Sequence, residues 1–161
     1  MRMRRATRPT GEETWATAAK ALRSARLTQL QHLTPEDIRT VLEAIRQASV
    51  IPRLAYHVSK HGGQLGANSE VGYLEAFRQH LWRTDLRIFT YLRYKDRVPF
   101  WELVAPDTGD TVVYNEKRKQ VWTFFRPHDS EARTQGLGLS WIEVLGTRDR
   151  WTLEENWQWR E

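Results

Sequence analysis

The chain contains no cysteine. That absence excludes disulfide bridges, a thiol nucleophile and any metal site built on thiolates. Nor is there an uninterrupted apolar run near the ~20 residues that a membrane-spanning helix needs. The basic opening Met1-Arg2-Met3-Arg4-Arg5 leads into Ala6-Thr7-Arg8-Pro9-Thr10 rather than into an apolar stretch. No secretory signal is therefore expected, and the cytoplasm is the expected compartment. Internal repeats and low-complexity tracts are also missing.

What is present is an imbalance of charge. The formal net charge is +5 with histidine neutral, and the isoelectric point lies near 9.8. Such an excess attracts phosphate backbones and releases their counterions, although it also serves simply to keep a protein soluble. A mean hydropathy of −0.68 describes a soluble chain, while the 40% hydrophobic share is too high for a disordered one. A length of 161 residues suits one domain with a true core.

Residues 1–10 are basic and carry a proline, so they read as a flexible arm, with residues 11–161 as a single α+β domain. From Glu12 to about Leu33 the chain is rich in Ala, Leu and Arg without Gly or Pro, which favours helix. Trp15, Ala19, Leu22 and Leu30 offer it an apolar face. Thr34-Pro35-Glu36-Asp37 supplies a capping hydroxyl, proline at the first helical position and acids in the first turn. Ile38, Val41, Leu42 and Ile45 follow at core-facing helical spacing, and Pro52 is expected to close that helix. Residues 53–68 read as loop-like towards Gly62-Gly63 and Gly66. Asn68 or Ser69 then caps a helix over about 69–82, with Val71, Leu74, Phe77 and Leu81 buried.

The period next changes from 3.6 to 2. Residues 86–94 and 98–105 read as an antiparallel pair joined at Lys95-Asp96-Arg97. Pro106-Asp107-Thr108-Gly109-Asp110 is a turn, and residues 111–114 and 120–125 complete a meander. The stretches 139–144 and 150–159 could add strands. The fold expected is α+β, with N-terminal helices packed on a meandering antiparallel sheet. Its core spans 53–127, and residues 128–161 form a Trp-rich extension.

The most informative stretch is Tyr56-His57-Val58-Ser59-Lys60-His61-Gly62-Gly63. Histidine exchanges protons in both directions near neutral pH. A neighbouring ammonium holds a phosphate and offsets the charge that develops in its pentacovalent transition state. These are the parts needed to cleave RNA by attack of its own 2′-hydroxyl. Two other readings stand beside that one. His57 and His61 lie four apart, as zinc ligands on a helix do, and the stretch could equally be an ordinary exposed His-Lys turn.

A second stretch is Val121-Trp122-Thr123-Phe124-Phe125-Arg126-Pro127. Strand alternation assigns Trp122, Phe124 and Arg126 to one face, and Thr123 and Phe125 to the other. The Thr123 hydroxyl could bind a phosphate oxygen, Phe125 could stack a base and Arg126 could add a cation. Against this, both phenylalanines suit a core. Tyr91, Arg93 and Lys95 alternate along one strand face and are candidate RNA-binding residues, although a solvated face has the same pattern. His80 and His128 read as structural or exposed, and Lys117-Arg118-Lys119 as a solvated turn.

Taken in order, His57-x-x-Lys60-His61-Gly62, the Ser69 cap, Tyr73-Leu74-x-Ala76, Asp107-Thr108-Gly109 and Thr123-Phe124-Phe125-Arg126-Pro127 resemble a known group. It is the barnase-like toxin endoribonucleases of bacteria, including the colicin D type that cuts transfer RNA in the anticodon loop. The resemblance covers about residues 54–127. It implies a barnase-like ribonuclease fold and cleavage without a metal or other cofactor, leaving a cyclic phosphate end. It also implies catalysis by His61 beside Lys60, with Thr123 and Phe125 holding substrate. The colicin D type has a further lysine just upstream of its Lys-His pair. Val58 occupies that place here, and His57 is the group that could substitute. His57 and Arg126 complete the expected catalytic set.

The partners expected are RNA, transfer RNA first, and an acidic antitoxin or immunity protein drawn by charge complementarity, with no membrane. Two other functions fit the same residues. One is a non-catalytic RNA- or DNA-binding protein. The other is a protein-interaction module presenting exposed Trp141, Trp157 or Trp159.

Overall fold

The computed structural model describes residues 12–48, 50–127, 140–146 and 151–153. The expected arm over 1–10 lies outside them, as does most of the extension, with His128, Trp157 and Trp159. Among the described residues four helices precede the sheet: α1 (Glu12–Gln31), α2 (Pro35–Arg46), α3 (Leu54–His61) and α4 (Glu70–Leu81). Six strands follow: β1 (Arg87–Leu92), β2 (Pro99–Val104), β3 (Thr111–Asn115), β4 (Gln120–Phe125), β5 (Ile142–Gly146) and β6 (Trp151–Leu153). The chain is an α+β protein with its helices N-terminal to an antiparallel sheet.

Local chemistry sets most helix boundaries. At α2 the Thr34 hydroxyl accepts from the Asp37 amide at 3.1 Å, and the Asp37 carboxylate accepts from the Thr34 amide at 2.8 Å. This reciprocal cap satisfies two amides that have no partner within the helix. Ile38, Leu42 and Ile45 are buried from that helix. It ends at Arg46, well before Pro52, where the Arg46 guanidinium turns to donate to Leu81 O. At α4 the Ser69 hydroxyl accepts from the Gly72 amide at 3.0 Å. Tyr73, Phe77 and Leu81 form its buried stripe, whereas Val71 is 77% exposed, contrary to its expected place in the core. Two residues before Tyr73 is about 200° away round the helix, so both cannot face inward. Tyr73 takes the inner position because its hydroxyl donates to Phe124 O.

The sheet order is β4-β3-β2-β1-β5-β6, and every pairing is antiparallel. The meander from β1 to β4 is the expected one. β5 then returns to the far side of β1, which leaves β4 as an edge strand. Ile88, Leu103, Val112 and Phe124 align across four strands and pack with Ile38, Leu42, Tyr73 and Phe77 into one core.

The expected alternation along β4 fails at one point. Val113 pairs with Thr123 and Tyr114 with Val121, so Trp122 is an extra residue in a bulge. A bulge resets which side chains face inward. Val121 and Phe124, three apart, are both buried, while Trp122 is 41% exposed and packs edge-on against Phe100. Trp122 and Phe124 therefore do not share a face.

Helix α3 fills the first part of residues 53–68, where no helix was expected, and the loop-like far end of that stretch follows it. The helix ends where Gly62 O accepts from the Ala67 amide at 2.8 Å, folding the chain back upon itself. A Cβ at Gly62 would meet Ala67 O at 2.3 Å and Val58 O at 2.6 Å, and neither backbone oxygen can swing away. Gly62→Ala is expected to cost about 1–3 kcal/mol, the range for forcing atoms into packed space. A urea unfolding midpoint unchanged by the substitution would contradict this.

Candidate active site

Helix α3 is short and has no side-chain cap. Arg53, before it, adopts the left-handed conformation at φ 57°, ψ 44°. For a non-glycine residue this costs about 1 kcal/mol or more. The turn it makes after Pro52 lets α3 run against β4, the edge strand. Contacts across that seam hold the helix: Thr123 Oγ1 and His57 Nδ1 share a hydrogen bond of 3.1 Å, and the His61 ring lies 5.6 Å from that of Phe125.

Between α3 and β4 is a cavity of about 530 Å³, within the roughly 300–1,000 Å³ usual for small-ligand sites. His57, Lys60, His61 and Thr123, four of the five expected catalytic residues, line it together. The two imidazoles stack at 5.8 Å with 17° between their planes, as their i, i+4 spacing on one helix face requires. Thr123 occupies Nδ1 of His57 and leaves Nε2 for proton exchange. Phe125 flanks the cavity through His61.

The electrostatics of the cavity are one-sided. Arg53, Tyr56, Arg118 and Gln120 also line it, and no carboxylate does. Among the described residues, Arg26, Arg39, Arg83, Arg87, Arg93 and Arg126 are all ion-paired. Arg53, Lys60 and Arg118 have no such partner among the described residues. The cations facing the cavity are thus left for a ligand, and an anion is what they attract. They would repel a divalent metal, although the histidines are spaced as zinc ligands are. Among the described residues no cluster of three or more His, Asp or Glu could hold a metal ion.

Burial is the first cause that lowers the pKa of both histidines below the ordinary 6.5. The charges of Arg53 and Lys60 add to it at His57, and those of His57 and Lys60 at His61. His80, buried on α4 with Nε2 donating to Leu103 O at 2.9 Å, is also lowered, again chiefly by burial. Above pH 6.5 these residues are neutral whether the chain is folded or not. As pH falls below that value the unfolded chain takes up protons that the native one resists, so stability declines. The urea midpoint is expected to be lower at about pH 5 than at about pH 7. Equal midpoints would mean the three rings are not held neutral by the fold.

The remaining expected site residues lie elsewhere. Arg126, the fifth of the catalytic set, does not line the cavity. Its guanidinium is held by Asp110, with Nε donating at 2.6 Å and Nη2 at 3.2 Å. Three residues beyond Thr123 on an extended strand is about 10 Å, which carries Arg126 past the seam. Tyr91 is stacked against both Phe100 of β2 and Trp141, which immediately precedes β5, so its ring is not open to a base. Arg93 pairs with Asp96 and lies over the Phe100 and Trp122 rings. It reaches the cavity only through Trp122. Lys95 is exposed in the β1–β2 turn. Trp141 is 5% exposed and so offers no partner surface.

Arg53, Arg118 and Gln120 line the cavity although none was expected there, and Arg118 belongs to the run expected to be a solvated turn. Arg53 lies shortly before the His-Lys stretch and Tyr56 opens it, and the Arg53 guanidinium lies 4.4 Å from the Tyr56 ring centroid. Lys60 Nζ donates to the Tyr56 hydroxyl at 3.3 Å. Arg118 comes from the β3–β4 turn, where a basic run gives no local sign of what it faces, and Gln120 is the first residue of β4. The chain matches no family model, no curated protein and no solved structure. No helix among the described residues is long and apolar enough to cross a membrane.

Proposed function

We propose that this chain is an endoribonuclease of the bacterial toxin type that needs no metal, with transfer RNA its first candidate substrate. The observation that carries the reading is the gathering of His57, Lys60, His61 and Thr123 in one cavity, beside two arginines and no carboxylate. One histidine takes the proton from a ribose 2′-hydroxyl as that oxygen attacks the adjacent phosphorus. The bond from phosphorus to the 5′-oxygen breaks, and the other histidine gives its proton to that oxygen. The products are a 2′,3′-cyclic phosphate end and a 5′-hydroxyl end. His61, the less buried ring, is the principal acid–base. His57, oriented by Thr123, is the second proton carrier. Lys60 holds the phosphate with Arg53 and Arg118, which take the role first expected of Arg126. An acidic antitoxin or immunity protein is the partner this basic cavity suits.

The test is incubation of the purified chain with total transfer RNA in the presence of a chelator. Discrete fragments with cyclic phosphate ends support the proposal. RNA that stays intact yet is retarded in a gel sinks it and supports a non-catalytic binding protein.

A further inference from the structure

Five large hydrophobic side chains stand exposed among the described residues: Val50, Tyr56, Val71, Trp82 and Trp122. Only Tyr56 and Trp122 line the cavity, one from the α3 wall and one from the β4 wall. Neither is explained by the core. Trp122 is turned out of the strand ladder by the bulge and keeps 41% of its surface in water. Tyr56 keeps 44%, although burial would stabilise a ring of that size.

Cations attend both rings. Arg53 lies over Tyr56 at 4.4 Å and Lys60 at 5.6 Å, while Arg93 lies over Trp122 at 5.5 Å. Cations at the ring faces hold the aromatics in position by attraction to the π-system, and set positive charge next to anything stacked there. The Lys60 contact to the Tyr56 hydroxyl fixes that ring further. Two exposed aromatic side chains on opposite elements, two imidazoles and a surplus of cations match a ligand made of flat rings joined by phosphates.

We infer that Tyr56 and Trp122 are stacking walls for nucleobases, so that the cavity takes single-stranded RNA with an unstacked base on each side of the bound phosphate. The inference rests on the ribonuclease reading of the same cavity and adds the substrate class to it. Bases within a duplex have their faces buried against one another, so only loops, bulges and ends can offer them to side chains. Stacking on aromatic rings tolerates any base, since every base has a π-face. The walls therefore select unpaired over paired RNA and leave base identity open.

The experiment compares binding of the full chain to three probes: a short 2′-O-methyl oligoribonucleotide, the same oligomer with its bases removed at successive positions, and its duplex. None has a free 2′-hydroxyl at the bound linkages, so none is cut there. The base-bearing single strand is expected to bind on the order of tenfold more tightly than the other two. Trp122→Leu and Tyr56→Leu should each remove most of that preference without weakening the abasic oligomer, and Trp122→Phe should retain it. Abasic oligomer or duplex bound as tightly as the base-bearing strand overturns the inference, as does a chain that binds no probe. Cleavage of ordinary RNA, measured alongside, separates the two readings. Cutting with base-independent binding removes the stacking walls and keeps the ribonuclease. Base-dependent binding without cutting does the reverse.

Discussion

Replacing His61 by alanine is expected to slow RNA cleavage by about 10²–10⁴-fold, the range that one positioned acid or base supplies. His57→Ala should fall in the same range, because cleavage needs a proton removed at one oxygen and another delivered at the second. If the two rings act as a unit, the double variant loses little more than either single one. The pH profile separates this chemistry from a merely structural role. Catalysis requires one imidazole neutral and the other protonated, so kcat/KM peaks between their two pKa values. Both are lowered from 6.5, chiefly by burial. The peak therefore belongs on the acid side of 6.5, with activity falling as pH rises and the proton donor empties. Stability declines in the same acid range, so rates must be read where the chain stays folded. An optimum above neutrality, or an alanine variant as fast as the parent, would remove the histidines from the reaction.

The sequence made some of this arrangement readable and hid the rest for physical reasons. Thr34 with Asp37 and Ser69 with Gly72 announce α2 and α4 because a cap is chemistry within four residues. The meander is readable because its turns carry their own signals. Helix α3 is not. It has eight residues, no side-chain cap and two glycines at its end, and so short a helix is held by tertiary contact rather than by propensity. Those contacts, His57 with Thr123 and His61 with Phe125, join positions 66 and 64 residues apart and leave no local mark. The bulge at Trp122 is likewise a property of the β3–β4 pairing, invisible in an alternation that looks unbroken. Arg126 looks as available as Arg118 in sequence. Only the fold shows that Asp110 holds the first while the second faces the cavity. The pairing of His57, Lys60 and His61 could be foreseen since all three share one turn of chain. The cations that join them from Arg53 and the β3–β4 turn could not.

Arg26→Met is expected to destabilise the protein by about 3 kcal/mol, and it should weaken RNA binding as well. Arg26 sits in the inward stripe of α1 with Ala19, Leu22 and Leu30, and is 1% exposed. Its Nε and Nη2 donate to the buried Thr90 hydroxyl at 3.0 and 2.8 Å, and Nη2 donates to Glu116 at 3.0 Å. Its guanidinium also lies 5.4 Å from the Trp101 ring centroid. Breaking a buried pair by removing one partner costs about 3–5 kcal/mol. The lower end applies because Glu116, 27% exposed, keeps some contact with water and a hydrogen bond from Trp101. Thr90 still donates to Phe100 O, so its hydroxyl is not stranded. Arg26→Lys should recover little, since a single ammonium cannot reproduce the guanidinium's fork to Thr90 and Glu116. The second effect follows from where Glu116 sits. It anchors the β3–β4 turn, and two residues on, Arg118 enters the cavity. Loosening that anchor costs the phosphate one of its cations without touching either histidine. KM for RNA should therefore rise while kcat changes little, the pattern of lost uniform binding. Urea denaturation and steady-state kinetics on the same preparation read the two effects separately. A variant as stable as the parent would mean that methionine packs as well as the ion pair did. A drop in kcat equal to the rise in KM would mean that the turn supports the reaction itself, not only the hold on its substrate.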